Sequence, residues 1–267
     1  MTGRSFSTLI VLGLAAVSPT TASAQSVYLC NEDGVPLDTL GDDKSQSDLL
    51  SQQGLVCAEA GKFRRAIVLF SEAIKHDPAN GTTYLNRGTA QTKIGEIELA
   101  LVDCDVAISL QPDRAEMWYD RATLLLRAGA LARALADFSQ AISLKPDLAA
   151  AFCNRGLVNY RLGHIIEALA DFTKVIQTGA KDPVCFFGRG TVFLVTGDYQ
   201  KAVDDFGAGL RLSPGDAAAF SRRGQAYEGL GQVQHAIDDF RASLAIDPSL
   251  VSAKEGIARL QQASVDH

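Results

Sequence analysis

The sequence is poor in the residues on which most catalysis depends. Four histidines (His76, His164, His235, His267) are scattered at spacings that form neither a metal pair nor a base next to a nucleophile. The five cysteines, Cys30, Cys57, Cys104, Cys153 and Cys185, are odd in number, contain no CxxC and are too dispersed for a zinc knuckle. Glycine-rich phosphate loops, serine-centred elbows and paired metal motifs are missing as well. Together these gaps point away from an enzyme: we expect no catalytic residues, no bound metal and no cofactor.

Long apolar runs are also lacking. The one near the start, Leu9 to Val17, is far shorter than the roughly 20 residues a membrane span needs. With Arg4 before it, and Pro19 and Ala22-Ser23-Ala24 behind, it reads as a secretory signal over residues 1–24. The mature chain is then expected to begin at Gln25, without a membrane span, in the periplasm or outside the cell. Cys30 follows Val27-Tyr28-Leu29, and Leu29 is too large for the small residue that should precede a lipidated cysteine. The formal charge is −6, which disfavours nucleic acid and weakly favours a basic partner. Export permits disulfides. Cys57 and Cys104 fall in core-facing rows and are read as small apolar residues; a bridge between Cys30 and Cys57 is the first alternative and one between Cys153 and Cys185 the second.

What the sequence does have is a period. Pro78, Pro112, Pro146, Pro214 and Pro248 are separated by 34, 34, 68 and 34 residues, with Ala180 where the missing proline would stand. Gly61, Gly95, Gly129, Gly163, Gly197 and Gly231 keep the same period unbroken, as do Ala66, Ala100, Ala134, Ala168, Ala202 and Ala236. The spacing therefore predicts six repeats: 47–80, 81–114, 115–148, 149–182, 183–216 and 217–250. Residues 25–46 form a polar lead-in expected to be loop, and 251–267 a final helix (Ser252 to Gln262) with a tail.

Each repeat reads as two helices. In the third, Trp118, Ala122, Leu125 and Leu126 recur at helical spacing before Gly129; Leu135, Phe138 and Ile142 follow on one face before Pro146. A lone hairpin of this size cannot bury its apolar stripe, so the pairs must stack into a solenoid. Gly88, Ala122, Gly156, Gly190 and Gly224 let the helices of a pair approach. Phe70, Phe138, Phe172, Phe206 and Phe240 form one aromatic row, interrupted by Cys104; Tyr84, Trp118, Phe152, Phe186 and Phe220 form another. Val175, Gly209 and Ser243 replace the alanine seen at Ala73, Ala107 and Ala141, and less regular packing is expected there.

Repeat length and the phased aromatic, Gly/Ala, Gly, Ala, Phe and Pro positions resemble the tetratricopeptide repeat family over about three quarters of the chain. The resemblance implies an all-α, right-handed superhelical solenoid of antiparallel helix pairs with a capping helix, whose first helices line a concave groove. It also implies groove contacts from first-helix positions: here Asn86, Thr89, Tyr119, Asp120, Thr123, Arg127, Asn154, Leu157, Tyr160, Arg161 and Phe187. Asn86 and Asn154 stand where family members use an amide to hold extended peptide backbone. Clamps for a terminal carboxylate are not reproduced, since those sites hold Thr82, Leu85, Glu116, Tyr119, Ala150 and Cys153. Arg127 with Arg161 could attract an acidic segment, although exposed arginines near helix ends are commonly just solvated.

One more set keeps the period. Arg87, Arg121, Arg155, Arg189 and Arg223 are each followed sixteen residues later by Asp103, Asp137, Asp171, Asp205 and Asp239. An arginine ladder for ligands would not need an aspartate for every member, so these are read as structural ion pairs clamping each hairpin. The expected function is an exported, non-catalytic scaffold holding a protein or peptide segment in its groove. The alternative is a structural or assembly component of an envelope complex, using the solenoid ends or convex face, with possible self-association through the ends.

Overall fold

The computed structural model describes residues 42–263; the expected signal sequence, most of the lead-in and Cys30 lie outside this range. The chain divides into two compact units, one ending at Gln111 and the other beginning at Pro112. Both are built of α-helices, with no strand among the described residues.

The first unit holds α1 (Asp43–Glu59), α2 (Phe63–His76), α3 (Gly81–Lys93) and α4 (Ile97–Leu110). α1 begins four residues before the repeat register, so residues 43–46 are helix rather than lead-in. The cause is Asp42, whose carboxylate accepts the Ser45 backbone N–H at 2.9 Å and caps the helix. The fully buried Phe70 of α2 lies so close to Gly54 of α1 that a Cβ there would sit 2.5 Å from its ring. Cys57 is buried in the same core and disulfide-bonded; the proposed Cys30–Cys57 pairing itself involves a residue outside the described range.

The second unit holds α5 (Ala115–Arg127), α6 (Leu131–Leu144), α7 (Ala149–Arg161), α8 (Ile165–Gln177), α9 (Pro183–Thr196), α10 (Tyr199–Leu212), α11 (Ala217–Gly229), α12 (Val233–Ile246) and α13 (Val251–Ala263). Four pairs and a final helix follow the expected periods. Phe138, Phe172, Phe206 and Phe240 of the second helices are all fully buried. Phe172 shows how the stack is built: its ring lies against Gly156 of its own first helix and Gly188 of the next. Phe240 lies in the same way against Gly224 and against Gly256 of α13, so the final helix packs as a seventh first helix would.

The turn between the helices of each pair is closed by one device. The periodic glycines have φ between 72° and 85°, and a Cβ on any of them would meet nothing within 4 Å, so conformation rather than space requires glycine. The next N–H then reaches five residues back, as in His164 N–H to Asn159 O at 2.9 Å and Gln232 N–H to Tyr227 O at 2.9 Å. Where the proline column fails at Ala180, a further left-handed glycine, Gly179 (φ 77°), ends α8 instead. Asp182 caps α9 by accepting the Val184 N–H at 2.9 Å, with Pro183 in the first helical position.

At Val175, Gly209 and Ser243 each junction packs in its own way. Val175 is 2 % exposed; Gly209 leaves the space that the Phe187 ring occupies; and Ser243 Oγ donates to Ala217 O at 2.8 Å. The disulfide that was not preferred, Cys153–Cys185, is formed, with Cα atoms 5.1 Å apart. It joins α7 to α9, because neighbouring first helices run side by side and bring these two positions within bonding reach.

Candidate functional site

The five arginines and aspartates meet as bidentate pairs within their hairpins. Nε and Nη2 of Arg87, Arg121, Arg155, Arg189 and Arg223 donate to the two carboxylate oxygens of Asp103, Asp137, Asp171, Asp205 and Asp239 at 2.7–2.9 Å. The aspartates are buried, and donating hydrogen bonds to Asp103 or Asp239 raises the pKa of Arg87 or Arg223 further still. Four guanidiniums also lie 5.1–5.6 Å from the ring three residues earlier, at Tyr84, Trp118, Phe152 and Phe220. Arg189 instead lies 5.7 Å from Phe193. With their donors engaged in this way, these arginines are built into the hairpins.

The first-helix face of the second unit is different. Leu157, Tyr160 and Arg161 of α7 and Val184, Phe187, Gly188 and Thr191 of α9 surround a cavity of about 270 Å³, with Phe172 beneath and Arg222 of α11 at its edge. At Gly188 the Phe172 ring lies against the α9 backbone, where a Cβ would overlap it; the equivalent positions of the other repeats carry Gln52, Asn86, Asp120, Asn154 and Arg222. The Cys153–Cys185 bridge ties the two helices that form the walls. Arg161 and Arg222 are exposed, and among the described residues neither has an ion-pair partner.

The remaining groove candidates are placed as follows. On α5 and α7, Asn154 Nδ2 donates to Tyr119 Oη at 3.1 Å, so part of the amide is engaged within the protein. Tyr119 packs on Phe138 with ring centroids 5.8 Å apart, and burial raises the pKa of its phenol. Asp120 is half-buried; burial first, and then the nearby Glu116 charge, push its carboxyl up to about 6. Thr123 Oγ donates back to Tyr119 O at 2.9 Å. Arg127 is exposed and does not line the cavity. In the first unit, Asn86 and Thr89 line a separate cavity of about 220 Å³ with Leu55, Glu59, Phe63 and Lys93.

Reading the sequence alone missed Arg222, Val184, Gly188 and Thr191. For three of them the signal was present, since Gly188 and Arg222 share a repeat column with Asn154, and Thr191 shares one with Leu157; the column of Val184 holds no chosen residue. Among the described residues no group of three or more His, Cys, Asp or Glu side chains could hold a metal, and no helix is long and apolar enough to cross a membrane.

Two segments match family models, residues 124–163 a model described as TPR repeat and residues 187–250 one described as tetratricopeptide repeat. A comparison with curated proteins returned no match. Among solved structures, a tetratricopeptide repeat protein from Parabacteroides merdae aligns with a TM-score of 0.68 and 21% identity, covering 82% of this chain and 87% of that one. Pseudomonas aeruginosa PilF aligns with a TM-score of 0.73 and 16% identity, covering 81% and 99%. YrrB, described as a TPR protein with an unusual peptide-binding site, aligns with 0.57 and 22%, covering 71% and 97%. These likenesses concern the fold. With its phased columns, helix pairs and two matched segments, the chain is a tetratricopeptide repeat protein, a member of a family of scaffolds for protein–protein interaction.

Proposed function

We propose that the protein is an exported, non-catalytic scaffold that holds a segment of another protein against its first helices. The observation that carries this reading is the cavity over Phe172, with apolar walls, two arginines that have no ion-pair partner among the described residues, and a covalent tie between its sides. Such a preformed apolar recess with a few polar groups suits an anchoring side chain. Asp120, kept half-buried at a cost to its charged form on α5 of the same unit, fits a binding face better than a packing role. Export is supported by the leader composition and by the Cys153–Cys185 bridge, a bond that persists in oxidising compartments.

The test is a crosslinking pull-down from envelope extract with wild-type protein and a folded variant carrying Asn86→Ala, Asn154→Ala and Tyr160→Ala. A partner captured by the wild type and lost by the variant supports the first-helix face. Capture undiminished by the variant would move the site elsewhere. One observation favours that second reading, an assembly role for the outer faces: Val68 of α2, and Leu99 and Val102 of α4, are each more than half exposed. A mass that rises with concentration in size-exclusion chromatography would then be expected.

A further inference from the structure

We infer that the cavity over Phe172 takes an apolar side chain from an acidic stretch of the partner, with Arg161 and Arg222 binding carboxylates on either side of it. The inference rests on the scaffold reading above and specifies the chemistry of its ligand.

Size and lining set the central group. At about 270 Å³ the recess lies below the roughly 300–1,000 Å³ of sites for drug-sized ligands, and its floor is Leu157, Phe172 and Phe187. A single leucine or phenylalanine side chain matches that space and chemistry. The charge at the edge sets its neighbours. All five clamp arginines are paired with aspartates, whereas Arg161 on α7 and Arg222 on α11 have no acidic partner among the described residues. Covering two guanidiniums with a neutral or basic segment would remove water without replacing it, while a carboxylate meets their planar donors in a bidentate pair.

The net charge of −6 opposes an acidic partner only at long range. At physiological ionic strength that repulsion is screened beyond about 8 Å, so the two local cations decide the contact. The carboxylates come from Asp and Glu side chains, since the positions of a terminal-carboxylate clamp hold Thr82, Leu85, Glu116, Tyr119, Ala150 and Cys153.

The test uses the full mature protein and random hexapeptide pools, one acetylated and amidated and one with a free C-terminus. Wild type is compared with Arg161→Glu/Arg222→Glu, whose exposed positions should leave the fold intact by circular dichroism. Selection by wild type should enrich peptides with Leu or Phe within two residues of Asp or Glu. The double variant should bind these about tenfold or more weakly and shift its own selection toward basic flanks. Equal enrichment in both pools is expected; enrichment in the free pool alone would overturn the assignment to side-chain carboxylates. Peptides recovered without acidic enrichment, or bound equally by the variant, would overturn this inference while leaving the scaffold reading standing. Recovery of no peptide would overturn this inference as well, and the scaffold reading would then be judged by its own pull-down.

Discussion

Ser139 Oγ accepts a hydrogen bond from Arg155 Nη1 at 3.3 Å, sixteen residues on, while the other face of the same guanidinium holds Asp171. Arg87 does the same with Ser71 at 3.1 Å, and Arg189 with Thr173 at 3.3 Å. The arginine therefore clamps its own hairpin and also ties it to the second helix of the preceding one. Repeat proteins gain stability from such nearest-neighbour contacts, so these few bonds act on folding and on stacking together.

Removing one aspartate should expose how much the clamp holds. Asp171→Ala leaves Arg155, about one quarter exposed, without its carboxylate, and takes from Asn159 the acceptor it reaches at 3.3 Å. The expected loss is about 3 kcal/mol, or roughly 6–12 °C in melting temperature. Replacing both partners, as Arg155→Met with Asp171→Leu, should recover most of it, because the cost is the stranded charge. A loss below about 1 kcal/mol for the single variant, by denaturant titration, would mean that water already serves the guanidinium.

The ladder lacks one rung. Where three of the other repeats place Ser71, Ser139 and Thr173 and one places Asp105, Gly207 stands opposite Arg223, and a Cβ there would lie 3.7 Å from Nη1 in ordinary contact. Gly207→Ser should stabilise the protein by about 1 kcal/mol, through helix propensity and the new hydrogen bond. Gly207→Ala separates the two effects, since alanine is the better helix former by about 0.5 kcal/mol. Serine should nevertheless equal or exceed alanine. If alanine wins by its propensity margin, the hydroxyl contributes nothing to the junction.

Much of this was legible because it keeps the 34-residue period. The glycine, alanine and phenylalanine columns each fix one contact per repeat, and Arg with Asp recur in phase, which identifies them as partners. The disulfide breaks phase: Cys153 and Cys185 are 32 apart, so no column joins them, and only the lateral packing of α7 on α9 brings them together. The cavity was hidden for a different reason. Its lining includes Gly188, which has no side chain, and a search for functional groups passes over such a position. Arg222 lies two repeats beyond Asn154 in the same column and differs from it in type, so its place beside Arg161 emerges only when α7, α9 and α11 are packed.

The bridge should matter for stability and for the recess. Closing a loop of this length removes about 3–4 kcal/mol of chain entropy from the unfolded state. Cys153→Ser with Cys185→Ser should therefore melt lower than wild type in oxidising buffer and match it once wild type is reduced. Because the bond ties both walls of the cavity, affinity for the selected peptides should fall in parallel. Unchanged melting on complete reduction, verified by thiol titration, would reject a stabilising role.

Asp120 gives a pH dependence with a definite sign. Its carboxyl would release its proton near 3.8 when unfolded but only at about 6 in the folded protein, because burial and Glu116 disfavour the charge. Between these values the native state holds more protons, so this group's contribution to stability falls as pH rises and is lowest above the folded value. The difference is at most about 3 kcal/mol, less where water reaches the group. Asp120→Asn should thus be more stable than wild type at pH 7.5, by about 1–3 kcal/mol, and indistinguishable from it below pH 4. Denaturant titrations of both proteins at pH 3.5, 5 and 7.5 measure the trend; a difference that stays flat with pH would show that Asp120 is solvated in the native state. A carboxylate held at such a cost on the same unit as the cavity is explained if a partner supplies the compensating cation, and Asp120→Asn should then weaken partner capture even as it strengthens the fold.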